Sequence, residues 1–339
     1  MKIKKIDLLE ALEIVKPALA SKESAAITDQ TTSFAFLRNR IITYNDEISI
    51  SHPIPDLGVQ GAVEAKSLYQ IIAKVKKDEI EILEGDNEIL LTSGRMKAGL
   101  TIKKEITLPL EEVEAKKDWY KLPATFLNLL GFTANVCGRD MSRPVLTCVH
   151  INKAGFLEGS DGFRLVNCQL GEEMSIRTIL IPAKSALEVV KFDPVEISDG
   201  SGWVHFRSEQ GSVLSCRILT DTYPDASKLF IKEGAEIVFP KTISALLDKA
   251  GVFAARDIVL EESVEITLAD NRMQVKSKSE TGWYEESVNV KHKGDKIHFT
   301  ITPYLLKGIL KETNTCIYSK SALQFESENW KYLSMLRKD

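Results

Sequence analysis

The sequence predicts an α+β protein made of three pseudo-repeated domains, each with two helices packed on antiparallel sheets. Three observations carry this reading. Helix-like segments recur with a period near 118 residues, a second set recurs in step with the first, and short alternating stretches punctuated by turns fill the intervals.

The first helices open at Asp7 (DLLEALEI), Thr125 (TFLNLL) and Thr242 (TISALL), 118 and 117 residues apart. In the last two, Pro-Ala-Thr and Pro-Lys-Thr put proline near the helix start and threonine in position to cap it. The second helices open at Ala65 (AKSLYQII), Ala183 (AKSALEVV) and Thr302 (TPYLLKGI), 118 and 119 residues apart. Residues 79–94, 195–208 and 263–278 alternate as strands do, with hairpin turns expected at Asp86-Asn87, Asp199-Gly200 and Asp270-Asn271. The charged stretch 111–118 and the stretch 231–235 read as linkers. Domains are therefore expected at 1–116, 117–235 and 236–339, each large enough for its own core.

Composition narrows the function. The chain has 339 residues, 44 % of them apolar and 27 % charged, which excludes a disordered, collagen-like or disulfide-stapled protein. No uncharged apolar run reaches about 18 residues, and Asp7, Glu10 and Glu13 interrupt any signal-peptide core, so a cytoplasmic location without membrane partners is expected. With 44 basic and 48 acidic residues the net charge is −4, so nucleic-acid binding would need a local basic surface. The five cysteines, Cys137, Cys148, Cys168, Cys216 and Cys316, form no C-x-x-C pair and read as reduced, buried residues. The histidines show no metal spacing, so neither metal nor cofactor is expected. Asp161, Cys168 and His150 could be assembled into a nucleophile system. The chain has no nucleophile elbow, phosphate-binding loop lysine or dinucleotide fingerprint, and a non-enzymatic role is expected.

Three segments carry a family resemblance: Arg143-Pro-Val-Leu146 with Gly159-Ser-Asp-Gly-Phe-Arg-Leu165, Tyr223-Pro-Asp225 with Lys228-Leu229, and Tyr332-Leu-Ser-Met-Leu336. On a threefold repeat, this ordered set resembles the bacterial sliding clamp family, the β subunit of the replicative DNA polymerase III, along the whole chain. The chain departs from the family at Phe163, where histidine is usual, and at its tail, where the family reads more like V-M-P-M-R-L. It is also shorter than most cellular clamps, and a divergent, phage-encoded member would fit these departures.

The resemblance implies a head-to-tail homodimer closed into a ring, with helices lining a hole and sheets outside. Such a ring encircles double-stranded DNA without reading sequence, is opened by an ATP-dependent clamp loader, and tethers DNA polymerase and other partners. The alternative is a clamp-like scaffold or decoy that binds partner peptides without supporting processivity. The implied peptide groove comprises Leu146, Ser160, Gly162, Phe163, Arg164, Leu165, Pro224, Lys228, Leu229, Tyr304, Leu333 and Met335. Its leucines and methionine suit an adaptable apolar lining, and Arg164 suits an anchor for a peptide carboxylate or carbonyl. The implied dimer seam sets Ile71 and Leu100 against Val252 and Phe253.

If the helices line a channel, their cations would contact phosphates loosely. The second helices supply Lys66, Lys74, Lys76, Lys77, Lys184, Lys191, Lys307 and Lys311. In or after the first helices lie Lys16, Lys22, Arg139, Arg143, Lys249 and Arg256, with the acids Glu10, Glu13, Glu188 and Asp248 among them.

Overall fold

The computed structural model describes residues 2–21, 30–55, 57–113, 118–292 and 294–337. Lys22 and the middle of the 111–118 linker lie outside them.

The chain begins with β1 (Lys2–Lys4), α1 (Lys5–Val15), β2 (Ser33–Leu37), β3 (Arg40–Asn45), β4 (Ile48–Pro53) and β5 (Gly61–Glu64). Next come α2 (Ala65–Lys74), β6 (Glu79–Glu84), β7 (Glu88–Ser93) and β8 (Met96–Lys103). The middle third holds β9 (Tyr120–Lys121), α3 (Phe126–Ala134), β10 (Cys148–Asn152), β11 (Phe156–Ser160), β12 (Arg164–Gln169) and β13 (Ile179–Pro182). It continues with α4 (Ala183–Phe192), β14 (Glu196–Asp199), β15 (Trp203–Arg207) and β16 (Val213–Arg217). The last third holds β17 (Ala235–Val238), α5 (Ile243–Ala254), β18 (Val264–Ala269), β19 (Arg272–Ser279), β20 (Gly282–Asn289) and β21 (Ile297–Ile301). It ends with α6 (Pro303–Ile309), β22 (Thr315–Tyr318), β23 (Ala322–Ser327) and β24 (Trp330–Met335). One order thus occurs three times: a strand, a helix, four strands, a helix, three strands.

The helices form where apolar residues share one face. In α1, Leu8, Ala11, Leu12 and Val15 are buried at spacings of three and four. Ile243, Leu246, Leu247, Ala250 and Ala254 do the same in α5. Each fully buried leucine or isoleucine contributes about 1.5–3 kcal/mol. The Glu64 carboxylate caps α2 by accepting from the Ser67 N–H. Threonine capping of α5 is not realised. Thr242 already has helical dihedrals, so its side chain makes no cap bond, and the Pro240 carbonyl accepts the Ile243 N–H instead. All three expected hairpin turns join consecutive strands: β6 to β7, β14 to β15 and β18 to β19. At Asp270 and Asn271 φ is +52° and +59°, values that short polar residues tolerate best after glycine.

The chain divides into two compact units, residues 1–131 with 174–220 and residues 132–173 with 221–339. In the first unit one antiparallel sheet runs β1-β6-β7-β8-β5-β2-β3-β4-β16-β15-β14-β9. Ala35, Tyr44 and Trp203 on one of its faces are covered by Leu108, with Ile106, Leu110 and Val113 packed alongside. In the second unit one sheet includes the order β10-β11-β12-β24-β23-β22-β17, and a separate four-stranded sheet runs β20-β19-β18-β21. Leu165, Leu333 and Ala322 are covered there by Ala226, Phe230 and Ile231. No helix among the described residues is long and apolar enough to cross a membrane.

Candidate partner groove and cationic helix faces

The turn between β11 and β12 organises the second unit's candidate groove. Ser160 Oγ accepts the Gly162 N–H (3.0 Å) and donates to the Arg164 carbonyl (2.6 Å). Asp161 Oδ1 accepts the N–H groups of Phe163 (2.9 Å) and Arg164 (2.8 Å), while Oδ2 accepts Arg164 Nε (2.8 Å). Gly162 supplies the positive φ (+90°) that the tight turn requires. The Phe163 carbonyl accepts the Met335 N–H, tying the turn to β24.

Arg164 then reaches α6. Its Nη2 donates to the Tyr304 hydroxyl (3.0 Å), and the guanidinium carbon lies 4.7 Å from the Tyr304 ring centroid. Burial opposes its charge, but Tyr332, Asp161 and Tyr304 outweigh that and raise its pKa above the ordinary value. At 7 % exposure Arg164 is a strut that fixes Tyr304, which differs from the open anchor expected from sequence. An arginine three residues after an aspartate finds its counter-ion within its own turn.

The remaining groove residues reach this turn through named contacts. Gly138 N–H is shared between the Leu146 and Ser160 carbonyls, which brings Leu146 alongside. Pro224, Lys228 and Leu229 are exposed on the segment whose Ala226 and Phe230 pack on Leu165 and Leu333. That segment is pinned by Tyr223, whose ring stacks on His150 at 4.8 Å, and His150 Nδ1 pairs with Glu158 (2.9 Å). Leu165 and Leu333 are buried partners on neighbouring strands and form the floor. Phe163, Leu229 (60 % exposed), Tyr304 and Met335 present apolar surface, as does Met141 nearby in sequence.

Arg143, expected among the channel cations, lies beside this turn. Its Nη1 is 3.1 Å from where a Cβ on Gly162 would stand. The sequence hid this because Arg143 follows a helix like the channel cations do, yet its position is set by the short helical turn at Pro144–Thr147.

The helix faces sort by position in the repeat. On α2, Lys66 and Lys74 are exposed, with Lys76 and Lys77 just beyond. On α4, Lys184 and Lys191 are exposed, and Lys307 and Lys311 lie on and after α6. On α1 the exposed charges are Asp7, Glu10 and Glu13, while α3 exposes Asn128, with Asn135 exposed just after it and before Arg139. Several cations hold carboxylates: Lys16 with Glu13, Lys184 with Glu47, Lys191 with Glu188, Lys249 with Glu286 and Lys307 with Asp248. Arg256 donates to the carbonyls of Ala254, Ala255 and Lys278. Tyr69, hydrogen-bonded to Glu13, and then Lys16 hold that carboxyl below its usual range.

Among the expected seam residues, Ile71 and Leu100 are half-buried on α2 and β8, and Val252 is 70 % exposed on α5. The half-buried Phe253 ring fills the space over Gly282, 2.9 Å from where a Cβ would stand. Trp283 on β20, 68 % exposed, was not anticipated, although its place in an alternating strand (GWYEESVN) was visible. The nucleophile candidates are otherwise engaged. Asp161 holds Arg164, His150 holds Glu158, and burial pushes the Cys168 thiol up to about 11.

Solved structures share this architecture over their full length. The DNA polymerase III subunit beta from Pseudomonas aeruginosa superposes with a TM-score of 0.86 at 15 % identity, covering 100 % of both chains. The DNA polymerase sliding clamp from Bacillus subtilis gives 0.84 at 19 % identity, covering 100 % of this chain and 98 % of that one. The beta subunit from DNA polymerase of Streptococcus pyogenes gives 0.86 at 20 % identity, with 100 % and 99 % coverage. The chain has the sliding-clamp fold. No protein-family model and no curated protein matches its sequence.

Proposed function

We propose that this protein is a DNA sliding clamp: a head-to-tail homodimeric ring that encircles duplex DNA, without reading sequence, in the bacterial cytoplasm or in a phage-infected cell. It holds DNA polymerase and other replication or repair proteins by a short peptide seated in the second unit's groove, and an ATP-dependent loader opens it. It has no catalytic role of its own. The domains of this reading are 1–116, 117–235 and 236–339.

The observation that carries the reading is the groove turn on a full-length clamp fold. Asp161 and Arg164 fix Tyr304, and exposed Phe163, Leu229 and Met335 lie around a floor of Leu165 and Leu333. A peptide burying two apolar anchors gains about 1.5–3 kcal/mol from each. After ordering costs, micromolar affinity (about −8 kcal/mol) is the expected scale. We place Arg143 at this groove's rim as a cation facing the peptide, and keep the channel role for Lys16, Lys22, Lys66, Lys74, Lys77, Arg139, Lys184, Lys191, Lys249, Arg256, Lys307 and Lys311.

A second reading, the scaffold or decoy, gains support from the acidic face of α1 and from the lysines already paired with carboxylates. Loading on nicked circular plasmid, with a bacterial clamp loader and ATP, separates the two. A processivity clamp stays on the circle and is lost when the plasmid is linearised. The Lys66→Glu, Lys184→Glu, Lys307→Glu triple variant should retain its melting temperature and load at least about tenfold less. Equal loading by that variant would remove the channel assignment. No retention of the wild-type protein would favour the decoy.

A further inference from the structure

The first unit carries a groove between the end of α1 and α4. Two cavities, about 540 Å³ and about 380 Å³, share Pro17 and Glu188 in their walls. Local sequence shapes each wall. Pro17 fixes a single 3-10 turn, Lys16–Ala18, that follows α1. At the β3–β4 turn Asn45 Oδ1 accepts the N–H groups of Glu47 (3.1 Å) and Ile48 (2.9 Å), and Asp46 and Glu47 stand exposed at its tip. On α4, Lys184, Ser185, Glu188 and Lys191 share one face by their spacings of three and four.

The groove is acidic with apolar walls. Glu13, Asp46, Glu47, Glu188, Asp193 and Glu209 line it against Lys184 and Lys191. Leu19 and Ile48 line the smaller cavity, and Ile14 and Phe192 the larger one. Lys184 meets Glu47 at 3.4 Å with its side chain 82 % exposed, so an incoming cation displaces it at little cost.

A buried hydroxyl gives a second, independent sign of a ligand. Ser185 lines the smaller cavity at 1 % exposure, and its Oγ has no hydrogen-bond partner among the described residues. In the larger cavity Ser208 Oγ is also buried and unpartnered among them. Buried polar groups are nearly always bonded. The carboxylates repel an anion and attract a cation, while a hydroxyl oxygen accepts an N–H. The chemistry that satisfies both is a positively charged N–H donor.

We propose that this groove docks a short basic segment of a partner protein, in which arginine alternates with an apolar residue. One guanidinium sits among Asp46, Glu47 and Glu188 and donates to Ser185 Oγ. The apolar neighbour lies against Pro17, Leu19 and Ile48. Arginine suits the place better than lysine, because its planar fork reaches two acceptors at once. The paired cavities give room for a second cation beyond Glu188, which a lone ion would not need. The groove shares no residue with the second unit's groove and recruits by the opposite chemistry, so it is a second docking position and stands whether or not the ring closes.

The test uses the full-length protein and fluorescence anisotropy with a labelled eight-residue peptide of alternating arginine and leucine, with thermal melts as folding controls. Wild type should bind it, and should bind the same peptide with citrulline for arginine at least about tenfold more weakly. Glu188→Gln and Glu47→Gln should each weaken binding about fivefold or more, whereas Glu265→Gln, which removes an equal charge from β18, should change it less than about twofold. Ser185→Ala should weaken binding at least about threefold while leaving the melt unchanged or raised, because it removes an unpartnered buried hydroxyl. No binding by wild type, equal losses in Glu265→Gln and Glu188→Gln, or full binding by Ser185→Ala overturns the proposal. Spermidine that displaces the labelled peptide as well as unlabelled peptide does overturns the peptide as occupant and assigns the groove to a polyamine.

Discussion

Two clefts occupy matching places in the repeat, one in each unit, and they differ in kind. In the second unit the turn before β12 supplies Asp161, Phe163 and Arg164, and the start of α6 supplies Tyr304. In the first unit the turn before β4 supplies Asp46 and Glu47, and the start of α4 supplies Lys184, which pairs with Glu47 at 3.4 Å. That cleft has Pro17, Leu19 and Ile48 in its walls, but Asp46, Glu47 and Glu188 dominate its chemistry. The same backbone plan therefore yields one rim with exposed apolar side chains and one dominated by carboxylates and an ion pair. What distinguishes them is which side chain the turn's aspartate can hold. Asp161 restrains a buried arginine that orients an aromatic ring. Asp46 faces the Tyr44 hydroxyl (3.3 Å).

The sharpest way to break this contrast is Met335→Arg. Placed on the apolar rim beside Phe163, a charge should cost a clamp-binding peptide about 100-fold in affinity. Glu47→Lys in the first-unit cleft should change it by less than about twofold. Fluorescence anisotropy with a labelled peptide reads both, and equal effects would erase the distinction. A smaller loss, about tenfold or ~1.4 kcal/mol, is expected for Asp161→Asn, which keeps an acceptor for the turn but removes the charge that holds Arg164. If combining it with Tyr304→Phe adds the two single effects in full, the Asp161–Arg164–Tyr304 chain does not act as a unit.

The units also differ on the covered faces of their sheets, and pH exposes that difference. In the second unit this face is Leu165, Leu333 and Ala322. In the first, Ser198, His205 and Ser215 run across it, His205 Nδ1 bonded to Ser215 Oγ (2.8 Å) and Nε2 without a partner among the described residues. Burial holds the His205 pKa down to about 4. Because the unfolded histidine takes a proton near 6.5, stability is full above that value and is lost as pH falls towards 4, by an amount on the order of 3 kcal/mol. The first unit should melt earlier at pH 5 than at pH 7, and His205→Gln should flatten that dependence in calorimetry. A first-unit transition that ignores pH would show that His205 is not held neutral.

Much of this was legible from the sequence, and the misses have physical causes. Helix starts at Asp7, Ala65, Ala183 and Thr242 fell within three residues of the observed ones because apolar spacing fixes a buried face. The hairpins were legible because Asp-Asn and Asp-Gly are local signals. The groove turn was visible as Ser160–Leu165, but sequence could not reveal that Arg164 would be spent internally, since Tyr304 arrives from 140 residues away. For Arg143 the sequence left the direction open, since a residue after a helix can turn either way, and here it lies beside Gly162. Trp283 escaped because one exposed aromatic on a polar sheet face has no neighbours in sequence to announce it. Thr242 failed as a cap because the preceding proline turn already supplies a carbonyl.

The pairing of β24 with β12 joins Arg164 to Ser334, 170 positions later in the chain. Protein synthesis runs in one direction, so Leu165 waits until Leu333 has been made before the floor they share can form. On the peptide-groove reading proposed above, a docking partner would therefore meet only a chain already made through Leu333.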